Sequence, residues 1–176
     1  TFHYGIKKYQ KNKSDASSIL DVGCSVGIST TFLEEAFPKS KRIEGIDLSP
    51  YFLAIATFNT KHSKKLSFSQ QNTECTVFEN QTFDLVCSSF LFHEVPQNAR
   101  LSILKEIFRI LQPNGVIAIL DLDPMLLKTK LAKNQLRKIF FESTEPHVYD
   151  YYQSDLIKEL SSVGFGNIKV FKNDPI

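Results

Sequence analysis

The 176-residue chain has no tryptophan, which carries no functional message, but its little net charge and few cysteines each remove a class of function. Cys24, Cys75 and Cys87 are odd in number and no pair has C-x-x-C spacing, so neither a disulfide framework nor a cysteine metal site is expected. Three free thiols in a reducing compartment, the cytoplasm or another, is the simplest reading. No apolar run approaches the roughly 18 residues of a membrane span, and no signal peptide is visible. The chain begins at Thr1 rather than Met, which leaves room for a removed leader. Twenty-one Lys and Arg against 19 Asp and Glu leave +2, too weak a field to argue for a nucleic-acid partner. Two basic stretches, Lys7–Lys8–Lys11–Lys13 and Lys61–Lys64–Lys65, read as solvated surface. Repeats, low-complexity linkers and metal-ligand clusters are absent too, so no metal is expected.

What is present suits one domain with a full core: 42% hydrophobic and 23% charged residues, with fifteen Phe. Short apolar runs alternate with helical patterns. Strands are expected at Ile19–Val22, Arg42–Asp47, Leu66–Gln70, Phe83–Ser88, Val116–Asp121 and Ile168–Phe171. Helical stripes are expected from Ile28, Phe32, Leu33 and Ala36, from Phe52, Ile55, Ala56 and Asn59, and from Leu101, Leu104, Phe108 and Leu111. Ser49–Pro50 is a cap and first-turn pair, and Pro113 and Gly115 stop the third helix. A further helix is expected over Met125–Phe141 after Asp123–Pro124. A last stripe, Leu156, Leu160 and Val163, closes at Gly164. The alternation implies an α/β fold, a doubly wound, mostly parallel sheet in three α/β/α layers. The dozen polar residues between the third and fourth strands leave room for one or two turns at most.

In such sheets ligands bind beyond the carboxyl ends of the strands. In "ILDVGCSVG", Gly23 and Gly27 remove Cβ atoms where backbone approaches something closely, ahead of a helix start. A nicotinamide fingerprint G-x-G-x-x-G is not met, because Ser25 stands at its second glycine and Ile28 does not match. Asp21, two residues before Gly23, would oppose phosphate and suit an amino group. Asp47, ending "RIEGID", is placed to accept from two ribose hydroxyls. A capping role for Asp47 is the bland alternative, although Ser49 is the better cap by position.

These residues resemble the class I S-adenosylmethionine-dependent methyltransferases. "ILDVGCSVGISTTFLEEAFP" is similar to their first motif and "IEGIDLSPYFLAIA" to their second. "FSQQNTECTVFENQTFDLVCSSFLFHEVP" and "ILQPNGVIAILD" resemble the approaches to their fourth and fifth strands. The resemblance covers about Ser18 to Asp121, more weakly "SDLIKELSSVGFGNIKV", and points to the small-molecule, ubiquinone/menaquinone-biosynthesis-like group. It implies a Rossmann-like strand order 3-2-1-4-5-(7)-6. Residues 1–17 would be a tail or the end of a helical cap, and 18–176 the core, lacking its last strand.

The resemblance also implies roles. Asp21 would orient the ammonium of S-adenosylmethionine (product S-adenosylhomocysteine), with Gly23, Cys24, Ser25 and Gly27 along its amino-acid part. Asp47 would hold the ribose and Leu48 pack on adenine. Asn72 would accept from the adenine amino group, Thr73 would add a backbone donor, and Ser88 would lie beside the methionine moiety. Ser25 replaces the usual middle glycine, at a cost on the order of 1 kcal/mol if its φ is positive. His93, in "FLFHEVP", is the candidate base for a hydroxyl or carbon-acid acceptor, and a pocket-wall packing role is the alternative. His147, Tyr149, Tyr151 and Tyr152 are candidates to touch the acceptor. "SSFL" stands where nucleic-acid amino-methyltransferases carry D/N-P-P-Y/F, so a small-molecule acceptor is expected. A nucleotide-cofactor oxidoreductase and a non-catalytic cofactor-binding module are the competing readings. The sequence sets no oligomeric state.

Overall fold

A computed structural model describes residues 16–123, 139 and 143–171. Five strands form one parallel sheet: β1 (Ser18–Val22), β2 (Arg42–Asp47), β3 (Leu66–Gln70), β4 (Phe83–Ser89) and β5 (Leu111–Leu120). Their spatial order is β3-β2-β1-β4-β5. The chain therefore steps outward from β1 to β3 and then returns to the other side of β1, which opens a crevice at the β1/β4 strand ends.

Helices α1 (Ile28–Ala36), α2 (Pro50–Asn59), α3 (Gln97–Ile110), α4 (Val148–Gln153) and α5 (Leu156–Val163) complete the described elements. Successive strand residues supply opposite faces. Ile19, Ile43, Leu85 and Cys87 pack with Leu33, Ala36 and Phe37 around α1. Leu20, Val22, Ile46 and Val86 pack with Ile103, Leu104, Ile107 and Leu160 from α3 and α5. Both faces are buried, as the nearly unbroken apolar strands require. Residues 71–82 contain a turn and no helix, in keeping with their short polar sequence.

Caps fall where the sequence places them. Ser49 Oγ accepts from Phe52 N, with Pro50 at the first turn. Gly164 ends α5 at φ 117. Helix α3 stops at Ile110 before Pro113 and Gly115, although β5 already begins at Leu111. Its pairing jumps from Phe83↔Leu111 to Leu85↔Val116, so Gln112–Gly115 bulges out of the ladder.

Three expectations are corrected. Ile168–Phe171 forms no strand; Ile168 packs on the core while Val170 is 66% exposed. Its alternation is strand-like, but a strand needs a neighbour, and β5 has none on that side among the described residues. In α1, Ile28 and Phe32 face out and Thr30, Leu33 and Ala36 face in, because Thr30 is drawn inward to Asp21. In α2 the buried pair is Leu53 and Ala56, with Phe52 and Ile55 outside. The helix expected over Met125–Phe141 lies, apart from residue 139, outside the described residues, as does the N-terminal tail up to residue 15.

Candidate functional site

The loop after β1 turns through three left-handed residues at alternate positions: Gly23 (φ 67), Ser25 (φ 50) and Gly27 (φ 83). Ser25 does carry the positive φ, so its expected cost of about 1 kcal/mol applies. At Gly27 both backbone and packing demand glycine, since a Cβ would lie 2.9 Å from Ala56 Cβ and 3.1 Å from the Phe68 ring. Cys24 is buried beneath this loop, its N–H donating to Ile46 O at 3.0 Å and its carbonyl accepting from Gly27 N at 2.9 Å, so it shapes the loop from below.

Asp21 is fully buried. Its Oδ2 accepts from Ser29 Oγ and Thr30 Oγ1, both at 2.6 Å, while Oδ1 has no partner. Burial pushes its pKa up to about 6; the Ser29 and Thr30 bonds oppose that, and the Asp47 charge adds to it. A buried carboxylate oxygen without a donor is costly to the protein alone and invites one from a ligand.

Asp47, ending β2, accepts from Ser25 N at 2.9 Å through Oδ2 and from Ser49 N at 2.8 Å through Oδ1. It thus ties the loop to the second strand end, and each oxygen keeps a lone pair for a further donor. Leu48, next in the chain, is 65% exposed. Asn72 Oδ1 accepts from Glu74 N at 2.9 Å, which also leaves one lone pair. Thr73 is buried, and Ser88, on β4 opposite Val22, is buried with its hydroxyl unpartnered.

Across the crevice, His93 Nδ1 lies 2.7 Å from Asp121 Oδ1 at the end of β5. Phe92 N and Leu122 N donate to the same carboxylate, at 2.8 and 2.7 Å, which fixes it in place. A carboxylate with those partners accepts, so Nδ1 carries the proton and Nε2 keeps its lone pair. Burial alone would lower the His93 pKa, but the Asp121 bond and charge, with Glu94 and Glu145, outweigh it and the net direction is upward. Glu94 is raised, first by burial, against the pull of His93 and with the push of Glu145, Asp121 and Asp47. One ligand atom from each of His93, Glu94 and Glu145 falls within 4.8 Å of the others, a convergence that no sequence spacing announces.

The rim is therefore acidic, with Asp21, Asp47, Glu94, Asp121 and Glu145 around it. No Lys or Arg occurs between Ser14 and Pro38, the stretch that builds the loop and α1. A pyrophosphate would meet carboxylates and no counter-charge there; a cation would be welcome.

The aromatic segment splits. Tyr151 is buried core, its OH donating to Leu122 O at 3.1 Å and its ring 6.3 Å from that of His93. Tyr149 is 54% exposed and pairs edge-on with Tyr152, and His147 sits at the start of α4 without capping it. The strand-end rule puts Asp121 on the rim too, since "VIAILD" ends on an acid as β2 does, but the sequence gives it no role.

A family profile described as a methyltransferase domain matches residues 19–115. The chain is 32% identical over 142 residues to a demethylmenaquinone methyltransferase of Lactococcus lactis, across 79% of this chain and 54% of that protein. It is 33% identical over 120 residues to an erythromycin 3''-O-methyltransferase of Saccharopolyspora erythraea, across 65% and 38%. The PH0226 protein of Pyrococcus horikoshii superposes with a TM-score of 0.65 at 24% identity, covering 76% of this chain and 60% of that one, a likeness of fold. The chain thus spans about half the length of the Lactococcus protein it resembles.

Proposed function

The chain belongs to the class I S-adenosylmethionine-dependent methyltransferases, and on that premise we propose that its strand-end rim holds this cofactor for methylation of a small molecule. The observation that carries the reading is Asp21 Oδ1, a buried acceptor without a donor, in a rim of carboxylates that favours a cation over a phosphate. When bound, S-adenosylmethionine supplies a methyl group activated on a sulfonium. Asp21 takes its ammonium, Gly23 to Gly27 border its amino-acid part, and Asp47 accepts from the ribose hydroxyls. Leu48 covers adenine, Asn72 and Thr73 meet its polar edge, and Ser88 lies by the methionine moiety.

The two named relatives methylate small molecules, one of them at oxygen. By analogy, the acceptor here is a small molecule whose reacting hydroxyl or carbon acid must lose a proton. His93 takes that proton at Nε2, and Asp121 holds the ring and favours the imidazolium that results. His147 and Tyr149 are proposed to touch the acceptor. Proximity and orientation supply the rest of the acceleration.

Titration calorimetry with S-adenosylhomocysteine and with NADH tests the cofactor. The homocysteine compound binds and NADH does not, and Asp47→Ala weakens binding by about 1.5–3 kcal/mol. Binding of NADH alone overturns the reading in favour of an oxidoreductase, and an unaffected Asp47→Ala variant moves the ribose elsewhere.

A further inference from the structure

Helix α2 has no charged residue and buries only Leu53 and Ala56. Tyr51 (81%), Ile55 (47%) and Phe58 (69%) are exposed at i, i+4 and i+7. At about 100° per residue, that stripe lies directly opposite the Leu53–Ala56 face. It is a second apolar face, not spill-over from the core, and Phe52 widens it. Contiguous exposed apolar patches on soluble domains mark surfaces that meet something.

The charge around the stripe says what. From Leu48 to Thr73, through α2 and the edge strand β3, there is no Asp or Glu, while Lys61, Lys64 and Lys65 all fall there. The Lys61 ammonium rests 4.8 Å from the Phe58 ring centre, so cation and aromatic form one surface. A shallow cleft of about 610 Å³ between α2 and β3, with Leu53, Phe58 and Phe68 in its wall and Lys61 beside them, extends the patch. The acids that reach this edge, Glu34 and Glu44, are taken up by Ser63 and Ser69, and Lys65 turns to Pro38 O, so Lys61 is the charge set among the apolar side chains. An apolar stripe with a lysine in it complements an anionic, partly apolar plane.

We infer that the α2–β3 edge is a docking surface for an anionic lipid bilayer. Tyr51, Ile55 and Phe58 enter the headgroup boundary, and Lys61 and Lys64 meet lipid phosphates. The inference rests on this surface alone and stands apart from the proposed acceptor. Among the described residues no helix is long and apolar enough to cross a membrane.

The test is co-sedimentation of the full chain with vesicles of phosphatidylglycerol and phosphatidylcholine, against phosphatidylcholine alone. The anionic vesicles take up the protein, salt releases it, and Lys61→Glu with Lys64→Glu cuts the partition at least about tenfold. Phe58→Ser with Ile55→Ser, at exposed positions, does the same, while all variants bind S-adenosylhomocysteine as the parent does. The inference is overturned if anionic vesicles leave the protein in solution, or if both double variants bind like the parent. It is equally overturned if the patch joins two copies, seen as a dimer in analytical ultracentrifugation that Phe58→Ser abolishes.

Discussion

His93 and Asp121, 28 residues apart and at the ends of neighbouring strands, meet through a 2.7 Å contact from Nδ1 to Oδ1. The carboxylate has two backbone donors of its own, so the ring is held by a fixed partner. The His93 pKa lies above its ordinary 6.5. A base works deprotonated, so methyl transfer rises with pH, with its midpoint displaced upward from that of a free imidazole, and then levels. Asp121→Asn moves the His93 titration, followed by ring-proton NMR, downward and lowers the plateau rate. His93→Gln costs about 10²–10⁴ in kcat with little change in cofactor affinity. A pocket-wall histidine would show the same titration shift, but no rate loss confined to kcat.

Asp21 makes cofactor affinity depend on pH. Its pKa is lifted from the usual 3.8 to about 6, so below that value a bound ammonium must first expel a proton. Affinity for S-adenosylhomocysteine therefore climbs between pH 5 and 7 and flattens above. Calorimetry in two buffers of different ionisation heat detects the released proton.

The same group acts oppositely on stability. Between about pH 4 and 6 the folded chain retains a proton that the unfolded chain has lost. Stability of the ligand-free protein therefore falls as pH rises through that window, by about 3 kcal/mol at most. Asp21→Asn flattens this slope in urea unfolding at pH 4.5 and 7, and binds S-adenosylhomocysteine at least about tenfold more weakly.

The positive-φ positions of the loop respond differently to substitution. Ser25→Gly relieves about 1 kcal/mol of backbone strain but frees the unfolded chain by a similar amount, so the midpoint of denaturation barely moves. Gly27→Ala adds a Cβ 2.9 Å from Ala56 Cβ on top of its φ of 83, and destabilises by about 2 kcal/mol or more. Equal effects at both positions in urea titrations would contradict this ordering.

Arg100, fully buried on α3, faces Glu159 on α5 at 3.3 Å and donates to Val95 O at 3.0 Å. Arg100→Met strands a buried carboxylate and costs about 3–5 kcal/mol. Arg100→Met with Glu159→Leu recovers most of that loss, because the pair's attraction largely repays desolvation and little more. A double variant as unstable as the single one would make the ion pair a net stabiliser.

The sheet was legible because its strands carry their own evidence: burial on both faces turns β1 and β4 into largely apolar runs that end in polar turns. The strand-end rule then located Asp21, Asp47 and the glycine loop without any side-chain geometry. Helix facing was less legible. Thr30 turns inward for a hydrogen bond to Asp21, and a hydrophobic pattern does not register a polar residue that pays its way in a core. Ile168–Phe171 has strand chemistry, but strand formation is a property of two segments, and no described strand pairs with it. Asp121 was visible as an acid after an apolar run; its meeting with His93 depends on β4 and β5 lying side by side, which no local pattern states.

The most direct test is a crystal structure with S-adenosylhomocysteine bound. The account places the ligand's ammonium within hydrogen-bond distance of Asp21 Oδ1 and both ribose hydroxyls on Asp47. A ligand bound elsewhere, or a rim closed over by the protein's own side chains with Asp21 Oδ1 still lacking a donor, contradicts it.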